Sequence, residues 1–166
     1  MERPSIKIQP EAADKFMDLV SLINLLLTVF LTFWIYIVSP KIIPAHYNIH
    51  GKINGYADKS VLFIMPAIAI FLFAILKVVF KHPNLHNYMQ VVTEENAKDL
   101  YKGSSRMLRL LNMLLMTVFL FLQIQTSLEI KYSLHFSGWG WGLGIFLVIN
   151  VPLLIFIIRQ YRKKVI

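Results

Sequence analysis

The residues best suited to chemistry lie in one short segment, Ser39-Pro-Lys-Ile-Ile-Pro-Ala-His-Tyr-Asn-Ile-His-Gly-Lys-Ile-Asn-Gly-Tyr-Ala-Asp-Lys59. It holds two imidazoles, His46 and His50, with the carboxamide of Asn48 between them and the carboxylate of Asp58 further on. Imidazoles change charge near neutral pH and ligate divalent metals. The set His46, His50 and Asp58 could therefore hold a metal, contact an anionic headgroup or move protons. Pro40 and Pro44 keep the chain extended as it enters the segment. If the extension continues, His46, Asn48 and His50 share one face while Tyr47 and Ile49 take the other. Gly51 and Asn54-Gly55 supply turns, and both glycines tolerate positive φ. The expectation is a compact, ordered loop with His46 and Asn48 directed inward, toward the ends of the neighbouring helices, and Trp139 and Trp141 in the wall. The structural alternative is that His46 and Asn48 bond the loop backbone and hold its shape.

A second polar segment begins at Lys81. His82 and His86 have the i,i+4 spacing of a zinc pair, but no third ligand accompanies them and Pro83 separates them. Thr93, Glu94 and Glu95 read as a helix start, with threonine at the cap and acids in the first turn. Ala97, Leu100, Tyr101, Met107 and Leu108 then fall on an apolar stripe, with Lys98, Lys102 and Arg106 elsewhere. The pattern is that of an amphipathic helix leading into the next apolar run.

The elements that must carry these segments are apolar. Of 166 residues 57% are hydrophobic and 16% charged, and the mean hydropathy is +0.59. Leu19 to Val38 is twenty residues without a charge, enough for a helix of about 30 Å, the thickness of the hydrocarbon core. Similar runs follow, and the spans are placed at about residues 17–38, 61–80, 107–128 and 138–158. The fold class is an all-α, four-helix membrane bundle forming a single domain. Pro66 and Pro152 fall inside spans, where membrane helices tolerate them. The acidic N-terminal segment and the length of the first run do not resemble a signal peptide.

Lysines and arginines set the orientation. Thirteen belong to the N-terminal segment, the middle loop and the C-terminal tail, and four (Lys41, Lys52, Lys59 and Lys131) to the other side. Both termini are therefore expected in the cytoplasm, with the His46 loop outside. The net charge of +8 is explained by anionic lipid and orientation rather than by direct nucleic-acid binding. The absence of cysteine removes disulfides, thiolate metal sites and palmitoyl anchors. Asn24, Asn112, Gln123, Gln125 and Asn150 lie within the apolar runs and read as interhelical hydrogen-bonding groups, or as a polar path for a substrate. No acid, arginine or histidine lies deep in a span, which argues against an ion-coupled transporter. Gly140 and Gly144, in a small-residue series, are expected at a close helix contact within the chain or with another copy.

Pro44-x-His46-x-Asn48-x-x-Gly51-x-x-x-Gly55-Tyr56 resembles the Pro-x-His-[aromatic]-Asn-x-x-Gly signature of a bacterial membrane domain of unknown function. That domain also forms the N-terminal part of SdpI-type toxin-immunity and signalling proteins. Asn87-Tyr88 followed by Thr93-Glu94-Glu95-Asn96-Ala97 and Tyr101 resembles the cytoplasmic segment of small four-helix members. The resemblance implies a bacterial plasma-membrane location and a special role for His46, Asn48, Gly51 and Gly55. It implies a non-enzymatic protein without a cofactor, with a peptide or toxin as outer ligand and a regulator as cytoplasmic partner. Metal-dependent enzyme and small transporter subunit are the alternatives. Homo-oligomerisation through the helices is a further expectation.

Overall fold

A computed structural model of the protein describes residues 3–48, 50, 52–88, 90–132 and 139–162. The order is helix α1 (Ala12–Val38), strands β1 (Ile42–Tyr47) and β2 (Ile53–Asp58), a 3-10 turn (Lys59–Phe63), helix α2 (Ile64–Val79), a second 3-10 turn (Pro83–Leu85), and helices α3 (Ala97–Tyr132) and α4 (Trp139–Arg162).

α1 starts where Glu11 and Asp14 cap each other's backbone N–H reciprocally, which satisfies donors that the first turn leaves open. It stops at Ser39 because Pro40 cannot continue it. Pro66 falls in the first turn of α2, where its missing N–H costs nothing, so it produces no mid-span kink there. Pro152 lies inside α4.

α1 and α3 run parallel, side by side. Glu11 meets Lys102 and Arg106, Asp14 meets Arg106, Asp18 meets Arg109, and Asn24 Nδ2 donates to Thr117 Oγ1 at 2.9 Å. Position rises along both helices together, as two spans entering from one side require. α2 runs against α1: Phe33 and Tyr36 contact Phe63 at one end, and Leu25 reaches Ala69 and Met116 further in.

The outside of this bundle is more apolar than the inside. Phe30, Phe33, Ile37 and Phe71 are more than half exposed, while Ser21, Thr28, Thr32 and Ser127 are buried. Each of these four hydroxyls donates to the carbonyl four residues back in its own helix. These small residues let the helices approach closely without an unpaired donor. α1, the segment Lys59–Val79 and α3 are long and apolar enough to cross a membrane, and Leu143–Ile158 is a shorter apolar helix. The protein is thus a bundle of apolar helices compatible with multi-pass insertion.

α3 is one continuous helix of 36 residues, so the expected helical segment leads straight into the apolar run. Its buried stripe differs in part: Ala97 and Tyr101 are buried together with Ser105 and Arg109, whereas Leu100, Met107 and Leu108 are half-buried and Lys102 and Arg106 turn toward the acids of α1.

Candidate functional site

β1 and β2 form an antiparallel hairpin at the C-terminal end of α1. A hairpin of two strands is marginal alone, and here the bundle holds it. Ile43 is 1% exposed and packs with Ile35 and Leu62, with Tyr36, Val61 and Ile130 around them. Burying one isoleucine in this way contributes roughly 1.5–3 kcal/mol. Lys59 Nζ reaches back to donate to the carbonyls of Tyr36 at 2.8 Å and Ser39 at 3.3 Å. It thereby satisfies orphan acceptors at the end of α1 while lying 4.5 Å from the Tyr36 ring centroid. Asp58 accepts from Ser60 N at 2.9 Å and starts the 3-10 turn. Its carboxyl is held below the usual range, chiefly by that backbone bond.

The extended chain ends at Tyr47. Asn48 turns it: Asn48 N donates to Lys52 O at 2.9 Å, and Asn48 Oδ1 accepts from His50 N at 3.0 Å and Lys52 N at 2.9 Å. The side chain thus replaces two backbone acceptors in the turn. His50 stands at the tip and Asp58 at the base. β1 pairs Ile42 with Asp58 and His46 with Gly55, so His46 sits four residues from the base, about 13 Å along a strand. His46, His50 and Asp58 are therefore not brought together. No group of three metal-ligating side chains forms among the described residues.

His46 does not point into the bundle. It is exposed, and so is Asn48. Ile43 faces the core, so strand alternation puts Ile42, Pro44 and His46 on the opposite face; register shifts between Pro44 and His46 and between His46 and Tyr47 interrupt the pairing there. The imidazole lies over Gly55: a Cβ at Gly55 would lie 3.1 Å from His46 Cβ and Cδ2. Asn54-Gly55 is not a turn; both residues lie within β2. Gly55 is required for space, not for positive φ. Tyr56, opposite Pro44, is 66% exposed and Ile42 is 54% exposed. Gly51 lies outside the described residues, as do the side chains of Trp139 and Trp141 and the surroundings of Gly140. Nothing stands within 4 Å of a Cβ at Gly144, so it makes no close contact within the described part of the chain.

The opposite end of the bundle carries the second motif, and it is densely bonded. Tyr88 Oη donates to Pro83 O at 2.7 Å and lies 2.7 Å from Ser104 Oγ. Burial pushes the Tyr88 phenol up. His86 Nε2 donates to Val79 O at 2.8 Å, and Nδ1 lies 3.0 Å from Ser104 Oγ. Both nitrogens are engaged within the protein, which leaves none for a metal shared with His82. Thr93 N donates to Asn96 Oδ1 at 2.8 Å and Asn96 N to Thr93 Oγ1 at 3.4 Å, a reciprocal cap one turn before α3. Glu94, Glu95 and Asn87 are exposed.

Spacing within the motif did not indicate what the N-terminal segment does here. Arg3 donates to Asn84 O at 3.1 Å and His86 O at 2.6 Å, and the buried Tyr101 donates to Pro4 O at 2.9 Å. The acid–base ladder was missed too, although its signal was present. Glu11, Asp14 and Asp18 are spaced by three and four residues, and Lys102, Arg106 and Arg109 by four and three, so each set occupies one helix face.

Hairpin, bundle and bonded end define a membrane-type helical protein whose motif is held at one end of the helices. Residues 23–70 match the family described as a domain of unknown function, DUF1648. The match covers most of α1, the whole hairpin and the start of α2. No curated protein and no solved structure matches the chain.

Proposed function

We propose that the chain is a non-enzymatic protein of the bacterial plasma membrane, active in immunity to an envelope-acting peptide toxin or in signalling its presence. The hairpin is its recognition element and faces outward. One observation carries this reading. The motif divides into residues consumed by shape and residues left over. Ile43, Asn48, Gly55, Asp58 and Lys59 fix the hairpin and dock it on the helices. His46, His50 and Tyr56 are exposed, and their side chains make no hydrogen bond among the described residues. Rigid backbone carrying free imidazole and phenol groups suits binding without a reaction. The sheet has two strands, so each keeps an edge to which an extended peptide can add. The SdpI-type resemblance of the motif supports the same role.

The test is protection. Sensitive cells expressing the chain are challenged with the peptide product of a toxin gene found beside its own. The wild type should protect them. His46→Ala combined with Tyr56→Ala should remove protection while membrane accumulation and melting stay unchanged. Full protection by that variant would overturn the reading, and so would a wild type that gives none.

A further inference from the structure

α4 presents two opposed faces. Ile145, Ile149, Pro152, Leu153 and Phe156 are half-buried. Turned by about 200°, as a two-residue offset on a helix requires, Leu143, Leu147, Asn150 and Leu154 are all exposed. Their spacing is four, three and four, the heptad pattern of a helix that packs on another along its length. The polar member of the stripe is a carboxamide near the middle of an apolar helix, on the side away from the bundle. Asn150 Nδ2 donates to Phe146 O at 2.8 Å. The second N–H and Oδ1 have no partner among the described residues. In hydrocarbon such groups are costly to leave unpaired.

We propose that this face of α4 binds the same face of a second copy of the chain, in a parallel dimer with Asn150 against Asn150 across the two-fold axis. Three features select a second copy over another partner. What remains of Asn150, one donor and one acceptor, is self-complementary. All copies of a membrane protein share one orientation, so only a second copy is certain to place a carboxamide at the same depth. A two-fold contact also pairs one surface with itself, as a leucine stripe with one central asparagine does. The inference requires α4 to lie in the bilayer and does not depend on the toxin-immunity reading.

The chain has no cysteine, so single cysteines report the interface directly. Full-length variants Leu143→Cys, Leu147→Cys and Leu154→Cys, oxidised in native membranes, should form disulfide-linked dimers. Ile145→Cys, Ile149→Cys and Phe156→Cys should not. Asn150→Val should weaken the dimer about tenfold, about 1.4 kcal/mol, within the range of one interhelical carboxamide bond. Asn150→Gln should retain it. Unchanged melting of the Asn150→Val monomer would show that the bundle itself is intact. Equal cross-linking on both faces, cross-linking at no position, a dimer indifferent to Asn150→Val, or a different protein cross-linked at Leu147 would each overturn the proposal.

Discussion

Arg106→Ala should lower the melting temperature of the purified chain by about 4–8 °C. Arg106 joins α3 to α1 through two bonds to one carboxylate, Nε to Asp14 Oδ1 at 2.8 Å and Nη2 to Asp14 Oδ2 at 3.1 Å. The Asp14 side chain is 6% exposed and that of Arg106 27%. Hydrogen bonds to charged groups contribute about 1.5–3 kcal/mol each. Partial exposure of Arg106 reduces this, because water replaces part of what is lost. Asp14 would keep only the bond from Glu11 N, and a net loss of about 2 kcal/mol follows. For a chain of this size each kcal/mol moves the midpoint by about 2–4 °C. Arg106→Lys should fall between, since an ammonium cannot make both bonds in the same fork. The pair also fixes a pH dependence. Burial alone would raise the Asp14 carboxyl, but bonds from Arg106 and Glu11 N outweigh it and hold it below the usual carboxylate range. A lowered carboxyl contributes stability that is fully present above the unfolded value of about 3.9 and is lost as pH falls through the folded value. Melting should thus be insensitive to this pair between pH 7 and 5 and should fall below about pH 4, with a shallower acid limb in Arg106→Ala. The assay is thermal melting in detergent across that pH series. A midpoint within about 1 °C of wild type, or an unchanged acid limb, would refute the parallel alignment of α1 and α3 through these residues.

Asn48→Ala removes the acceptor of two backbone N–H groups and should open the turn to protease cleavage between residues 48 and 52, whereas Asn48→Asp should resist. Gly55→Val places a branched side chain where Cβ already lies 3.1 Å from His46; amide exchange should show weakened protection of β1 and β2, with the helices unaffected. Tyr101→Phe frees the Pro4 carbonyl at a cost of about 1 kcal/mol, and trypsin should then cleave faster at Lys7 than in wild type.

The apolar elements were legible because span length is a one-dimensional signal. The twenty uncharged residues up to Val38 and the run ending at Phe80 fall on α1 and α2, although α1 begins at Ala12, seven residues before its uncharged run. Charges next to those runs were harder to read. In the sequence Glu11, Asp14 and Asp18 read as acids preceding a span, and Lys102 and Arg106 as the polar side of a helix leading into one. Their pairing joins residues more than ninety positions apart, and only the matched i+3 and i+4 spacings hinted at it. In the motif, the expected inward orientation of His46 and Asn48 does not hold. Asn54-Gly55 carries a strong local turn signal, yet the turn forms at 48–52 because the Asn48 side chain closes it. Burial of Ile43 then sets the register, and alternation from it leaves His46 on the outward face with Ile42. Local preference lost to one buried isoleucine and one side-chain cap.

The claim on which the rest depends is that the hairpin and the bonded end of the bundle lie on opposite sides of a membrane, hairpin outward. Because the chain lacks cysteine, Lys52→Cys and Lys98→Cys can each be probed with a membrane-impermeant maleimide on intact and permeabilised cells. Lys52→Cys should label on intact cells, and Lys98→Cys only after permeabilisation. The reverse pattern, or labelling of both sites on intact cells, would contradict the account.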